Sequence, residues 1–407
     1  MKPKSLMFIA GEPSGDMHAA DLVLALREQL PAAEADANSD AQPLHAGLAP
    51  RFFGAGGPRM AAAGVELAFD MTRYSTIGLS GVLKGYLRFR RLFEQLYRMA
   101  LERQPDAIIC VDFGIFNLRF AQAISAHARG RRGWFHDWKP KLIQYVSPQV
   151  WASREGRADK IARDYDLLLS IFPFEKEWYA SRVPRLPVVF VGNPIVDRPI
   201  LGAAESPTSP LVLLLPGSRK GELKRHLPVL RGAVEIMRSR VPGLRMRMVL
   251  PDEALATRAK AAGLPADIIV EAGGLAEAMV QATLAIASTG TVTMECAAAG
   301  LPVVALYKTS WFNYPFAKLL AKVEYVAMPN ILANQPVFPE FIQAAATPSS
   351  IAAAALELLN DGQRRKEIRG KLSEIVASLG APGASRRAAA AIVSLLVEQG
   401  ATAGRSA

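Results

Sequence analysis

Apolar runs of strand length alternate with helical patterns along most of the chain. The first series is Leu6–Ala10, Arg51–Phe53, Ala107–Val111, Leu142–Val146, Leu167–Ile171 and Val188–Val191. The second is Leu211–Leu215, Arg245–Val249, Ile268–Val270, Leu284–Ala287 and Val303–Leu306. Near-continuous apolar strands separated by helices indicate parallel sheets, because a helix must cover each face. Two such series predict an α/β chain of two doubly wound domains. The Ser-, Pro- and Ala-rich stretch Gly202–Pro210 reads as the linker between them. Pro31–Pro50 reads as a loose surface excursion and Arg129–Lys139 as a basic, aromatic loop. Ala388–Glu398 reads as a helix, with Gln399–Ala407 frayed beyond it.

One helical pattern carries a second message. Ile77–Leu101 places Leu79, Leu83, Tyr86 and Phe93 among Lys84, Arg88, Arg90, Arg91 and Arg98. A basic, aromatic amphipathic helix can lie in a membrane interface, and it can equally pack on a core with a solvated basic face. Both readings stand on the pattern alone. Phe312–Leu320 is a weaker second candidate for lipid contact.

Composition narrows the classes. The chain has 407 residues, 50% of them apolar and 21% charged, so large cores are within reach and disorder is not the dominant state. A net charge of +11 favours acidic partners such as phosphorylated substrates, nucleic acid or anionic lipid, without choosing among them. Cys110 and Cys296 stand in apolar surroundings and read as reduced, buried thiols. The N-terminal apolar run ends at Gly11, too short for a secretory leader, and no stretch reaches the roughly 18 apolar residues of a spanning helix. The expected location is the cytoplasm.

The candidate chemistry sits at strand ends. Gly11-Glu12-Pro13-Ser14-Gly15-Asp16 follows the first strand and opens a helix, whose N-terminus offers unpaired N–H groups to an anion. Pro216-Gly217-Ser218-Arg219 repeats that logic in the second series, with Arg219 suited to a pyrophosphate. Ser288-Thr289-Gly290-Thr291 should begin another helix and can either cap it or bind phosphate. Glu295, about one turn in, could accept ribose hydroxyls. Asp112 directly follows Ala107–Val111, where a carboxylate serves as a general base or simply as a turn residue. Ser147, Gln149 and Trp151 follow the strand ending at Val146, and Asn330 lies in a polar-aromatic loop pair near the end of the second domain. The five histidines show no metal-ligand spacing, and most of them read as ordinary surface or loop residues.

Gly11–Asp16, Tyr145–Trp151, Phe172-Pro173-Phe174-Glu175, Leu215–Arg219 and Met328-Pro329-Asn330, in that order, resemble the lipid-A-disaccharide synthase family. The resemblance spans Leu6 to Gln343. It implies a GT-B glycosyltransferase, two Rossmann-like domains facing a cleft, with the C-terminal helix crossing back to the first domain. Residues 1–200 with 380–407 would form the acceptor and membrane-associated domain, and 201–379 the UDP-sugar domain. The implied reaction joins UDP-2,3-diacylglucosamine to 2,3-diacylglucosamine 1-phosphate with inversion. It gives a β-1,6-linked disaccharide 1-phosphate and UDP, with no metal and no cofactor. Asp112 would be the base. Gly217, Ser218, Arg219, Ser288, Thr289, Gly290, Thr291, Glu295 and Asn330 would hold UDP. Gly11, Glu12, Ser14, Gly15, Asp16, Ser147, Gln149 and Trp151 would line the acceptor side.

The implied setting is the inner-membrane surface, reached peripherally through Leu79, Leu83, Tyr86 and Phe93, with no nucleic-acid partner. Oligomeric state is left open, a homodimer included. Four departures from the family pattern bear on the acceptor: Ile115, Ser80, Asn193 and Ser153 stand where it usually has other residues. Two alternatives remain: another GT-B enzyme on UDP-sugars, such as a UDP-N-acetylglucosamine 2-epimerase or a lipid-linked N-acetylglucosaminyltransferase, and a dinucleotide oxidoreductase using Gly54-Ala55-Gly56-Gly57. The latter lacks a full GxGxxG with its ribose-binding acid.

Overall fold

The computed structural model describes residues 3–37, 49–75, 82–130, 138–198, 210–265, 267–309 and 323–403. The chain divides into two compact units, Met1–Asp197 with Ala381–Ala407, and Arg198–Gly380. The expected linker lies almost wholly outside the described residues.

The first unit contains β1 (Ser5–Ala10), α1 (Pro13–Ala37), β2 (Arg51–Gly56), α2 (Pro58–Ala62), β3 (Glu66–Asp70), α3 (Thr72–Ser75) and α4 (Val82–Arg103). It continues with β4 (Ala107–Val111), α5 (Gly114–Gly130), β5 (Lys141–Tyr145), α6 (Ala158–Asp164), β6 (Leu167–Ser170), α7 (Pro173–Arg182) and β7 (Val188–Phe190). The seven strands are ordered β3-β2-β1-β4-β5-β6-β7, and every pairing is parallel. Strand order reverses at β1/β4, which brings the loops after these two strands side by side at the carboxyl edge of the sheet.

Leu6–Ala10 and Ala107–Val111 are all buried, as central strands covered on both faces must be. On α1, Ala19, Leu22, Val23 and Leu26 recur at helical spacing and are buried, each large aliphatic side chain contributing about 1.5–3 kcal/mol. The helix runs through Pro31 to Ala37. The expected surface excursion therefore begins later than its proline suggested, and residues 38–48 lie outside the described ones. β3 escapes the apolar-run criterion because it is an edge strand, half-covered along its length.

The second unit contains β8 (Leu211–Leu215), α8 (Lys220–Arg240), β9 (Arg245–Leu250), α9 (Glu253–Lys260), β10 (Ile269–Ala272), α10 (Leu275–Gln281), β11 (Leu284–Ser288), α11 (Thr291–Ala298) and β12 (Val303–Tyr307). Then come α12 (Met328–Ala333), β13 (Glu340–Ile342), α13 (Pro348–Asn360) and α14 (Gly362–Ser378). Its parallel sheet is ordered β10-β9-β8-β11-β12-β13, with the reversal at β8/β11. Again the loops after the two reversing strands are neighbours. β13 is a second half-buried edge strand that the apolar pattern does not reveal.

The chain ends in α15 (Ala384–Ala403), which belongs to the first unit and packs along α1. The Asp197 carboxylate accepts hydrogen bonds from the main-chain N–H groups of Gly383 and Ala384 at its start. Gln29 donates to the Arg386 carbonyl at 3.1 Å, and Ala388, Ala389 and Ile392 are fully buried.

Candidate active site

In the first unit the loops after β1, β4 and β5 carry most of the expected residues. Asp112 is the residue after β4 and is half-buried. Ser14, in the first turn of α1, donates from Oγ to Asp112 Oδ2 at 3.4 Å. Gly15 brings the α1 backbone against the Asp112 Cβ, and Gly11 lies against the Phe113 ring. Glu12 is half-buried on the same turn.

Asp16 has a different employment. It is 2% exposed and accepts from the main-chain N–H groups of Gly57, Arg59 and Met60 at 2.7, 3.0 and 3.1 Å. These are the orphan donors at the start of α2, so Asp16 caps that helix from a distance. A Cβ at Gly57 would sit 2.6 Å from Asp16 Oδ2. That close approach explains part of the glycine run that resembled a dinucleotide motif.

Gln149 is exposed, whereas Ser147 and Trp151 turn inward. The Trp151 indole N–H donates to Glu175 Oε1 at 3.0 Å, and Ser147 Oγ bonds the Tyr179 hydroxyl at 3.4 Å. Glu175, on α7, is fully buried. Burial pushes its carboxyl up to about 8, against the opposing pull of Trp151, Ser147 and the Phe172 and Ile171 main chain.

The unfolded carboxyl loses its proton near 4.5 and the folded one near 8, so the folded state holds the proton across that window. Stability therefore falls as pH rises from 4.5 to about 8, by about 1.4 kcal/mol per pH unit. Glu175→Gln should flatten this slope and raise the melting temperature at alkaline pH relative to the parent. Parallel melting-temperature profiles of parent and variant would refute it.

In the second unit, Gly217 and Ser218 follow β8 and Arg219 stands at the N-cap of α8, its side chain 57% exposed. Glu222 folds back on this loop, accepting from the Ser218 N–H at 3.1 Å and facing the Arg219 guanidinium at 3.7 Å. His226 is fully buried beneath the loop. A carbonyl only accepts and an N–H only donates. His226 Nδ1–H therefore bonds the Pro216 carbonyl at 2.7 Å, while Nε2 accepts from Lys308 N–H at 3.0 Å. Burial holds this imidazole below its usual range, in keeping with a neutral ring. Its signal in the sequence is its place among Leu223, Leu227 and Leu230, the inward face of α8.

At the neighbouring strand end, Ser288 closes β11 and is 2% exposed, Thr289 is half-buried, and Gly290 and Thr291 are exposed. The N-cap of α11 is Gly290, with no side-chain cap. Capping by Ser288, Thr289 or Thr291 is thus not what these hydroxyls do here. Thr293 instead donates back to the Gly290 carbonyl at 2.7 Å. Glu295 accepts from Arg198 at 2.9 Å. Asn330 is fully buried and spent on its own unit. Its amide donates to the Phe338 carbonyl and Glu340 at 2.8 and 2.7 Å, and its oxygen accepts from Phe338 N–H at 2.8 Å.

Of the expected lipid-facing residues, Leu79 lies outside the described residues, as does the Phe312–Leu320 candidate. Leu83 and Tyr86 fall on α4 at positions whose side chains are not described. Phe93 packs edge-to-face on Phe116 and Phe120 of α5, with centroids at 5.6 and 5.5 Å. The aromatic side chains of α4 and α5 pack on each other there, and Phe93 is half-buried. Among the described side chains of α4, Leu87 is 49% exposed. Among the described residues, no helix is long and apolar enough to cross a membrane and no cluster of acidic, His or Cys side chains could hold a metal ion.

The chain that forms these two sheets matches a family model described as lipid-A-disaccharide synthetase over residues 6–394. The chain belongs to the lipid-A-disaccharide synthase family. A lipid-A-disaccharide synthase of Trichlorobacter lovleyi is 35% identical over 98% of this chain and 99% of its own. One from Myxococcus xanthus is 34% identical over 97% and 98%. Among solved structures, a putative UDP-N-acetylglucosamine 2-epimerase from Listeria monocytogenes superposes with a TM-score of 0.64 at 16% identity, covering 98% of each chain. CalG4, the calicheamicin glycosyltransferase, gives 0.57 at 16% identity, covering 97% of this chain and 99% of its own. The fold is that of GT-B enzymes, with two Rossmann-like domains. Membership of the synthase family makes this protein a glycosyltransferase of lipid A disaccharide synthesis, acting on a sugar nucleotide and a lipid acceptor.

Proposed function

We propose that this enzyme, a hexosyltransferase, joins UDP-2,3-diacylglucosamine to 2,3-diacylglucosamine 1-phosphate, with inversion, to form the β-1,6-linked disaccharide 1-phosphate and UDP. The observation that carries this reading is the placement of Asp112 at the carboxyl end of β4, hydrogen-bonded by Ser14 from the start of α1. Inversion needs one base to take the acceptor hydroxyl proton as that oxygen attacks the anomeric carbon, and Asp112 fills the role. Base catalysis of this kind contributes about 10²–10⁴ in rate.

Charge growing on the departing diphosphate falls to the second unit. Arg219 presents a bidentate cation, and the uncapped start of α11 presents N–H groups at Gly290 and Thr291. Ser218, Gly217, Thr289 and Ser288 shape those two loops, and Glu295 meets the ribose. Glu12, Ser14 and Gln149 meet the acceptor, while Asp16, Ser147, Trp151 and Asn330 support the loops from within.

Mass spectrometry of a reaction containing both acylated substrates is the test. Absence of the disaccharide phosphate, with turnover of UDP-N-acetylglucosamine instead, would favour the epimerase reading that the Listeria structure raises. Arg219→Ala should weaken UDP binding about tenfold in calorimetry, the loss of one charge-assisted pair. Unchanged affinity would remove Arg219 from the diphosphate. We place the enzyme on the cytoplasmic face of the inner membrane, held peripherally through the basic α4 and its exposed Leu87. Failure to co-sediment with anionic vesicles at low salt would overturn that placement.

A further inference from the structure

Three residues at the carboxyl edge of the first sheet carry left-handed backbone without being glycine. They are Asp112, Phe113 and Val146, with φ of +50°, +53° and +66°. Such a conformation is unfavourable for an ordinary residue and suits a β-branched valine least. It persists only where the surroundings over-determine it.

Two buried amides do so here. Asn117, on α5, donates from Nδ2 to the carbonyl oxygens of Ile9, Val111 and Asp112 at 3.4, 3.3 and 2.8 Å. Gln144, in β5, donates from Nε2 to those of Asp112, Tyr145 and Val146 at 3.4, 3.4 and 3.1 Å. Both side chains are fully buried. Their own oxygens accept no hydrogen bond among the described residues, so what they do is donate to main-chain carbonyls. The two amides converge on one atom, the Asp112 carbonyl oxygen, while the Asp112 N–H is held by the Tyr145 carbonyl at 2.9 Å. The Asp112 peptide groups are therefore fixed on both sides, and the left-handed turn decides where its carboxylate projects.

We propose that Asn117 and Gln144 are positioning residues for Asp112, holding its backbone in the left-handed turn that aims the carboxylate at the acceptor hydroxyl. This rests on the reading of Asp112 as the base. Losing either amide leaves buried carbonyls of this turn short of a donor, which lets the turn relax. A relaxed turn swings the carboxylate, and a displacement of about 1 Å can cost about 10² in rate.

The test is kinetic. Asn117→Ser replaces the amide by a single, shorter hydroxyl donor, and Gln144→Met removes the donors at nearly constant shape. Each should lower kcat at least tenfold, with the donor KM and the UDP affinity within twofold of the parent. In an Asp112→Asn background the same substitutions should lower the residual kcat less than twofold, because residues that act through one group are not additive. Parental kcat in folded Gln144→Met overturns the proposal. So does a full tenfold loss on top of Asp112→Asn, which would mark a merely structural role. Should Asn117→Ser melt below the assay temperature, Gln144→Met reads the same carbonyl and decides alone. Near-parental kcat in Asp112→Asn itself is a separate outcome: it would sink the base reading rather than this one.

Discussion

Asp112→Asn should bind its sugar nucleotide as the parent does and turn it over about 10²–10⁴ times more slowly. The substitution is nearly isosteric, so its consequences are chemical. An asparagine oxygen can still accept from the Ser14 hydroxyl, which lies 3.4 Å from Asp112 Oδ2. Asparagine also tolerates the left-handed backbone at φ +50° better than most residues, so the turn after β4 survives. What is lost is the ability to take a proton. Product formation by mass spectrometry, UDP affinity by calorimetry and a melting curve separate these effects. Turnover within a few-fold of the parent would remove Asp112 from the base role, leaving it a residue of the turn.

Gly54→Ala should be the most damaging single methyl addition in the first unit. Gly54 lies in β2 at φ +143°, opposite Phe8 of the central strand β1, where the β2–β3 register also shifts. A Cβ there would fall 2.0 Å from the Phe8 carbonyl oxygen, a backbone atom that cannot rotate away. The conformation alone costs a non-glycine residue about 1–3 kcal/mol, and overpacking adds about 1–3 more. A loss of about 4 kcal/mol corresponds to roughly 8–16 °C in melting temperature for a unit of this size. Calorimetric melting measures it directly. A shift of under about 2 °C would mean that β1 and β2 part more easily than their packing implies.

The two sheets were legible in the chain because central parallel strands are apolar on both faces, and Leu6–Ala10, Ala107–Val111 and Leu211–Leu215 show this without help from the fold. The edge strands β3 and β13 were not legible, since half-covered strands keep polar residues. Candidate site residues were legible where a strand ends in a Gly, Ser or acidic turn, as at Ser14, Asp112 and Arg219. Their supports were not. Glu175, His226 and Gln144 are polar residues within otherwise apolar patterns, and a pattern cannot say which distant atom will satisfy them.

By itself, then, the sequence determined the α/β class, the two strand series, the strand-end loops and the family. Those follow from periodicity and from local turn chemistry, which need only near neighbours. The tertiary structure alone decided that Asp16 caps α2, that Phe93 packs on α5, that Asn330 braces Glu340 and that two amides meet at the Asp112 carbonyl. Each is a contact between residues brought together by strand order or helix packing, and buried polar atoms must find such partners wherever the fold places them.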